Sequence, residues 1–183
     1  MSRVKNARDP QRRQRIIEAC LDSIVDVGVA GTSHRKIAAR AEVPLGSMTY
    51  HFNGMDELLY EAFEQFAAEA VIEFERVMAG AESSAEFRQR YIAYICDIIL
   101  GQQRNVVLTL ELYTLAARSP EHRALTQQWL RGMKRILTRF VDADTAVLLD
   151  ALIEGFSLHR VLGSEKQADE LVSRAFDAIV GRR

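Results

Sequence analysis

Residues 32–52 read TSHRKIAARAEVPLGSMTYHF and carry the clearest structural pattern in the chain. They predict two short helices joined by a tight turn. Hydroxyl groups at Thr32 and Ser33 can accept hydrogen bonds from the unpaired N–H groups at the start of the first helix. Pro44 suits the first position of the second helix, because its fixed φ is helical and its missing N–H costs nothing there. The second helix, residues 45–51, carries small and polar groups, which is typical of a helix that lies against a polar surface.

Residues 10–66 resemble the N-terminal DNA-binding domain of the TetR family of bacterial transcription regulators. Ten residues carry the resemblance in the order and spacing of that family: Thr32, Ile37, Ala38, Ala41, Val43, Gly46, His51, Phe52, Leu58 and Leu59. The resemblance implies an all-α fold. Residues 1–56 are expected to form a three-helix helix-turn-helix domain with a basic N-terminal arm, and residues 57–183 a helical ligand-binding and dimerisation domain.

The composition is that of an ordinary globular protein, with 48% hydrophobic and 27% charged residues. Glycine and proline are few, which favours a helical fold. No apolar run is long enough to cross a membrane, and the N-terminus carries no apolar signal segment, so we expect a cytoplasmic protein. Cys20 and Cys96 lie in apolar helical patterns without CxxC spacing. Two buried reduced thiols are expected, and a redox sensor is the alternative.

The charge of the chain is unevenly distributed. Residues 1–56 carry nine Lys and Arg against six Asp and Glu, a net of +3, whereas the remainder carries a net of −4. A basic end points to a polyanionic partner. The first fifteen residues hold six of the positive charges and can serve either as a solvated tail or, with Arg8 and Arg12, as contacts to DNA phosphates or the minor groove.

Hydrophobic periodicity predicts about nine helices. The first runs over residues 10–27 and ends at Gly28, and the fourth, residues 56–79, connects the two domains. Five more follow the DNA-binding part, at residues 84–100, 104–118, 120–140, 144–162 and 167–181. Residues 144–162 are apolar around much of the helix, and 167–181 carry their own apolar stripe. We expect these two helices to pair with their copies in a homodimer through Leu148, Leu152, Phe156, Leu171, Phe176 and Ile179, burial within one protomer being the alternative.

The second helix of a helix-turn-helix places its N-terminal residues nearest the bases. Groove contacts are therefore expected from Pro44, Leu45, Gly46, Ser47, Met48, Thr49 and Tyr50. Contacts to the DNA backbone are expected from Thr32, Ser33, Arg35, Lys36, Tyr50 and His51, with His34 exposed nearby. His51 has a second interpretation, as a packed core histidine.

Three residues depart from the family pattern. Glu42 stands where the family has a turn glycine, and it would be strained if its φ is positive. Thr49 and Met55 replace a tyrosine and a lysine that contact phosphates in the family. The clamp on the DNA backbone is therefore expected to depend more on Tyr50 and the arginines of the N-terminal arm.

The resemblance also implies a small-molecule pocket in the C-terminal domain. Candidate lining residues combine apolar bulk with polar groups, which is how ligand pockets are built: Phe66, Tyr91, Tyr94, Leu110, Tyr113, Trp129, Met133, Phe156 and His159. Each of them also fits a plain core position. Arg104 and Glu111 are candidate charged partners for a ligand, and surface positions are the alternative for both.

The expected function is therefore a regulator, more often a repressor, that binds a palindromic DNA operator as a homodimer and responds to a small molecule. An enzyme is not expected, because the sequence has no ExxH pair, HExxH, P-loop, GxSxG or CxxC motif. No metal or cofactor is expected. A helical ligand carrier or protein-interaction bundle without DNA binding is the alternative, but it would leave the basic N-terminal end without a purpose.

Overall fold

The computed structural model describes residues 11–99, 103–163 and 168–181. Within these ranges the α-helices are α1 (Arg12–Gly31), α2 (His34–Arg40), α3 (Gly46–His51), α4 (Met55–Met78), α5 (Ser84–Ala93), α6 (Gln103–Ala116), α7 (Pro120–Leu137), α8 (Ala143–Val161) and α9 (Ala168–Val180), and a π-helical segment, Tyr94–Ile99, continues α5. The described ranges contain no β-strand. The predicted all-α fold is confirmed, and no helix within those ranges is long and apolar enough to cross a membrane.

The chain divides into two compact units, Met1–Gln65 and Phe66–Arg183. The boundary expected after residue 56 lies inside the first unit. The physical reason is that the first turns of α4 belong to the core of that unit: Leu58 and Phe63 are fully buried, and Glu61 pairs with Arg13 of α1.

In the first unit, α1 buries the stripe that its sequence predicts, including Ile17, Cys20 and Ile24. The helix expected to end at Gly28 is broken there, because the φ of 70° and ψ of 170° of Gly28 are non-helical, but a short helical stretch follows and α1 ends at Gly31. A side chain with a Cβ is strained at that φ, so glycine is needed there. Burial raises the pKa of the Cys20 thiol to about 12, so this cysteine stays protonated and unreactive at neutral pH.

In the second unit, serine hydroxyls cap the starts of two helices. Ser83 accepts from the Glu86 N–H at the start of α5, and Ser119 accepts from the His122 N–H at the start of α7. An aromatic cluster joins α5 to α9, because the Phe176 ring lies 5.6 Å from Phe87 and 5.1 Å from Tyr91.

This cluster corrects one expectation. Phe176 is 2% exposed in the core of its own protomer, so the prediction that it forms the dimer interface is wrong. Val172 and Phe176 of the α9 stripe are buried within the protomer, and periodicity alone could not distinguish this from burial against a second copy.

Candidate DNA-binding surface and ligand cavity

The helix-turn-helix is held by short-range hydrogen bonds. Ser33 Oγ accepts from the Lys36 N–H at 3.4 Å and caps α2 as predicted. Thr32 does something else: its hydroxyl donates to the Gly28 carbonyl at 2.8 Å and so completes the end of α1. The turn between α2 and α3 passes through Glu42 at φ 54°, the left-handed region that favours glycine. The strain expected at this position is therefore present.

The recognition helix α3 presents one exposed face. Leu45 and Tyr50 are 55% and 70% exposed, so both side chains are available for contacts to a partner. Pro44, Gly46 and Thr49 share this exposure.

Two residues predicted to contact the groove do not lie on this face. Met48 is fully buried and Ser47 is 8% exposed, so the prediction of groove contacts from them is wrong. On a helix of six residues these two positions point into the core of the unit, and their side chains hold α3 in place.

The charged residues of α2 are not equivalent. Arg35 and Lys36 are exposed, and Lys36 Nζ donates to the Gly31 carbonyl at 2.7 Å, which holds the side chain near the end of α1. Arg40 forms ion pairs with Asp26 and Asp22, so its charge is compensated within the unit. The structure thus leaves Arg35 and Lys36 as the α2 candidates for phosphate contacts.

His51 is half-buried at the end of α3, and its ring packs edge-on against Tyr50 with centroids 4.9 Å apart. Burial, followed by the charges of Arg12 and Arg13, lowers the pKa of His51 below its usual value. The ring is therefore neutral at neutral pH, and a contact to phosphate would use a neutral N–H.

His34 is half-buried, and its Nε2 has no hydrogen-bond partner among the described residues. Arg8 lies outside the described residues.

The strained turn supports a stability prediction. Replacing Glu42 by Gly is expected to raise the free energy of unfolding by about 0.5–1 kcal/mol. Glycine removes the cost of a left-handed backbone conformation, roughly 1–2 kcal/mol. Part of this gain is lost because glycine also increases the conformational entropy of the unfolded chain. Urea unfolding followed by circular dichroism measures the change. Glu42→Ala is the control, since it removes the same charge but keeps the Cβ. An equal gain in both variants would assign the effect to charge and contradict the strain.

A small cavity lies inside the second unit, with a volume of about 40 Å³. Its walls come from four elements: Tyr94 of the π-helical segment; Asn105, Val106 and Thr109 of α6; Trp129, Leu130 and Met133 of α7; and Asp150, Ile153, Glu154 and Ser157 of α8. No group of three His, Cys, Asp or Glu side chains able to hold a metal ion is found in the part of the chain that the structure describes.

Three of the predicted pocket residues line this cavity, namely Tyr94, Trp129 and Met133. Two more support its wall: the Phe66 ring meets Trp129 edge-on at 5.8 Å, and Tyr113 donates to Glu154 at 2.7 Å.

The other four predicted pocket residues do not line this cavity. Tyr91 is buried in the core and donates to the Leu149 carbonyl at 2.6 Å. His159 is exposed, while Leu110 and Phe156 are half-buried but do not line the cavity. Helical periodicity identified these positions as apolar faces but could not assign them to one cavity.

The charged groups of the cavity are Asp150 and Glu154, whereas the sequence pattern pointed to Arg104 and Glu111. The two acids are four residues apart and therefore share one face of α8. Burial raises the pKa of Asp150 to about 6, assisted by the charge of Glu154 and opposed by Lys134. Burial also raises the pKa of Glu154, against the lowering effect of the hydrogen bond from Tyr113. The sequence did contain a signal for these cavity residues, since Asp150 and Glu154 are two acids four residues apart in a mostly apolar helix.

An exposed recognition helix on a capped helix-turn-helix, followed by an all-helical unit with an internal cavity, defines the class of ligand-responsive DNA-binding regulators. Two family profiles match the chain. Residues 16–62 match the one described as bacterial regulatory proteins, tetR family, and residues 86–182 match the one described as tetracyclin repressor-like, C-terminal domain. The chain belongs to the TetR family and is a DNA-binding transcriptional regulator with a C-terminal ligand-binding domain.

Individual relatives agree with this assignment. The crystal structure of the transcriptional regulator SCO7518 from Streptomyces coelicolor A3(2) is 46% identical and covers 93% of this chain and 99% of its own, with a TM-score of 0.84. The multidrug-binding protein EbrR in complex with ethidium is 32% identical, covers 92% and 98%, and has a TM-score of 0.76. The nicotine-responsive transcriptional repressor HdnoR of Paenarthrobacter nicotinovorans is 28% identical over 72% of this chain and 68% of its own.

Proposed function

We propose that this regulator is a repressor that binds a palindromic operator as a homodimer and releases it when a small molecule binds the second unit. The observation that carries the proposal is the exposed face of α3, where Leu45 and Tyr50 stand out from a helix whose other side is anchored by Met48. Pro44, Gly46 and Thr49 complete the surface offered to the groove, and Ser33, Arg35 and Lys36 flank it for contacts to the DNA backbone.

The proposed dimer is supported by an exposed apolar face formed by α8 and by Leu162, which directly follows it. Large side chains at Val147, Leu148, Leu158 and Leu162 are 41% to 69% exposed. The small residues Ala151 and Gly155 are also exposed, and a helix with small residues at its centre can approach another helix closely. We call residues 147, 148, 151, 155, 158 and 162 the α8 face. Of the residues predicted for the interface, Leu148 lies on it, and Leu152, Phe156, Leu171 and Ile179 are half-buried.

The proposed ligand response is supported by the cavity and by the relatives. One relative is named as nicotine-responsive and another is named with bound ethidium, so related chains take small organic molecules. A ligand that prefers one arrangement of the dimer shifts the affinity for DNA by its differential affinity, typically about 1–3 kcal/mol. We further propose that the protein acts in the cytoplasm, without enzymatic activity or a cofactor.

Selection of binding sites from fragmented genomic DNA tests this function. We expect enrichment of a two-fold symmetric sequence, and an affinity that falls steeply with salt, because phosphate contacts release counterions. The neighbouring genes would indicate the ligand and the direction of regulation. Enrichment of no sequence, together with salt-independent retention of DNA, would refute the proposal.

Tyr50 provides a residue-level prediction for the recognition surface. We expect Tyr50→Ala to weaken operator binding about tenfold, which corresponds to roughly 1.4 kcal/mol, because the exposed ring is a large contact on the groove side of α3. Fluorescence anisotropy with the selected operator measures the affinity. Tyr50→Phe keeps the ring and separates packing from the hydroxyl hydrogen bond. Unchanged affinity of the alanine variant would place the contact surface elsewhere.

A further inference from the structure

The cavity of the second unit is electronegative. Its lining includes the carboxylates of Asp150 and Glu154, and none of its described lining residues is Lys, Arg or His. Lys134 acts on Asp150 from α7, but one cation does not balance two acids. Tyr113 stabilises Glu154 by a hydrogen bond and adds no charge.

Aromatic rings form another part of the lining. Tyr94 and Trp129 line the cavity, and Trp129 is flanked by Phe66 and by Tyr113, whose ring centroid lies 6.0 Å away. The faces of such rings attract cations, and the attraction is strongest where water is excluded. Carboxylates and aromatic faces around one cavity therefore favour the same kind of ligand.

The volume of the cavity limits what enters it. About 40 Å³ is room for roughly three water molecules, at about 10–15 Å³ each. A charged head group of a few heavy atoms displaces a similar volume, whereas a whole drug-sized molecule needs a pocket of roughly 300 Å³ or more.

We propose that this cavity binds the charged head group of an organic cation between Asp150 and Glu154 and against the rings of Tyr94 and Trp129. The inference rests on the proposed function, since it names the chemical class of the effector. The remainder of the cation would lie outside the cavity, because the cavity holds only the head group.

Trp129 is the single tryptophan of the chain, so its fluorescence reports directly on this cavity. We would titrate the full chain with benzyltrimethylammonium and with neopentylbenzene, which has the same shape and no charge. The cation is expected to bind at least tenfold more tightly than the neutral compound. In the double variant Asp150→Asn, Glu154→Gln this preference is expected to vanish while the affinity for neopentylbenzene stays the same.

Asp144→Asn is the matched control, because it removes an exposed carboxylate from the same helix and should leave the preference intact. Circular dichroism and operator binding without probe verify that the double variant is folded. Equal affinity for the two compounds, no saturable signal with benzyltrimethylammonium, or an unchanged preference in the double variant would overturn the cation site. Because the probe is measured on protein without DNA, a failure to bind or release the operator would count against the proposed function alone.

Discussion

Replacing Ala151 by Glu is expected to convert the dimer into monomers and to lower operator affinity by about a hundredfold or more. Ala151 lies at the centre of the α8 face and is exposed in the protomer. In a two-fold symmetric dimer the substitution is present in both protomers. The two introduced carboxylates would therefore lie close to each other near the two-fold axis. Buried like charges cost several kcal/mol. Each monomer would then reach one half-site only and lose the gain from simultaneous binding.

This variant separates assembly from folding. Glu is a good helix former, so α8 itself should remain intact. Sedimentation equilibrium measures the mass and anisotropy measures operator affinity. Ala124→Glu is the matched control, since it makes the same change on an exposed position of α7. A dimeric Ala151→Glu protein with full operator affinity would refute the α8 face as the interface.

Replacing Asp150 by Asn is expected to stabilise the protein at pH 8 by about 2–3 kcal/mol. Burial and the charge of Glu154 raise the pKa of Asp150 from 3.8 to about 6, although Lys134 opposes the shift. A raised pKa in the folded state means that the folded protein holds the proton more tightly than the unfolded chain does. The stabilising contribution of this group is therefore complete below about pH 4, declines as the pH rises and is lost above pH 6, at about 1.4 kcal/mol per pKa unit.

Asn carries no charge at any pH and should remove this dependence. Urea unfolding of the wild-type and Asp150→Asn proteins at fixed, low protein concentration, from pH 4 to pH 8, measures the difference in the free energy of unfolding. We expect it to be near zero at pH 4 and to reach its maximum above pH 6. The Asp144→Asn variant, altered at an exposed position, should show a flat difference. A pH-independent difference for Asp150→Asn would mean that the carboxylate is not destabilised by burial. The wild-type protein is less stable with a charged Asp150 than it would be with Asn, which is consistent with a function of this carboxylate in ligand binding.

Helix caps, helix breaks and turn conformations could be predicted from the sequence, because they depend on neighbouring residues. Ser33 and Ser119 are small hydroxyl residues that precede helical patterns, Gly28 interrupts one, and Glu42 stands in a turn that requires positive φ. Each of these effects involves residues within about four positions of one another, so their physical consequences can be predicted from the sequence. The helix boundaries and the helix-turn-helix were predictable for the same reason.

The site was only partly predictable, because its members are distant in the chain. Met48 reads as a residue at the start of a recognition helix, yet the fold buries it completely. Phe176 reads as an interface residue, yet Phe87 and Tyr91 cover it. In both cases an apolar residue could pack either in the core of its own protomer or against a partner molecule. Sequence periodicity shows that the residue lies on an apolar face but does not show what covers that face.

The helical class, the helix-turn-helix and the membership of a regulator family are thus encoded in the sequence directly. Those features depend on local capping, turn geometry and a spaced set of core residues. Only the packed fold shows that Asp150 and Glu154, rather than Arg104 and Glu111, meet Tyr94 and Trp129 around one cavity. The physical reason is that burial and electrostatic coupling depend on distances between helices, and these are set when α6, α7, α8 and the π-helical segment pack together.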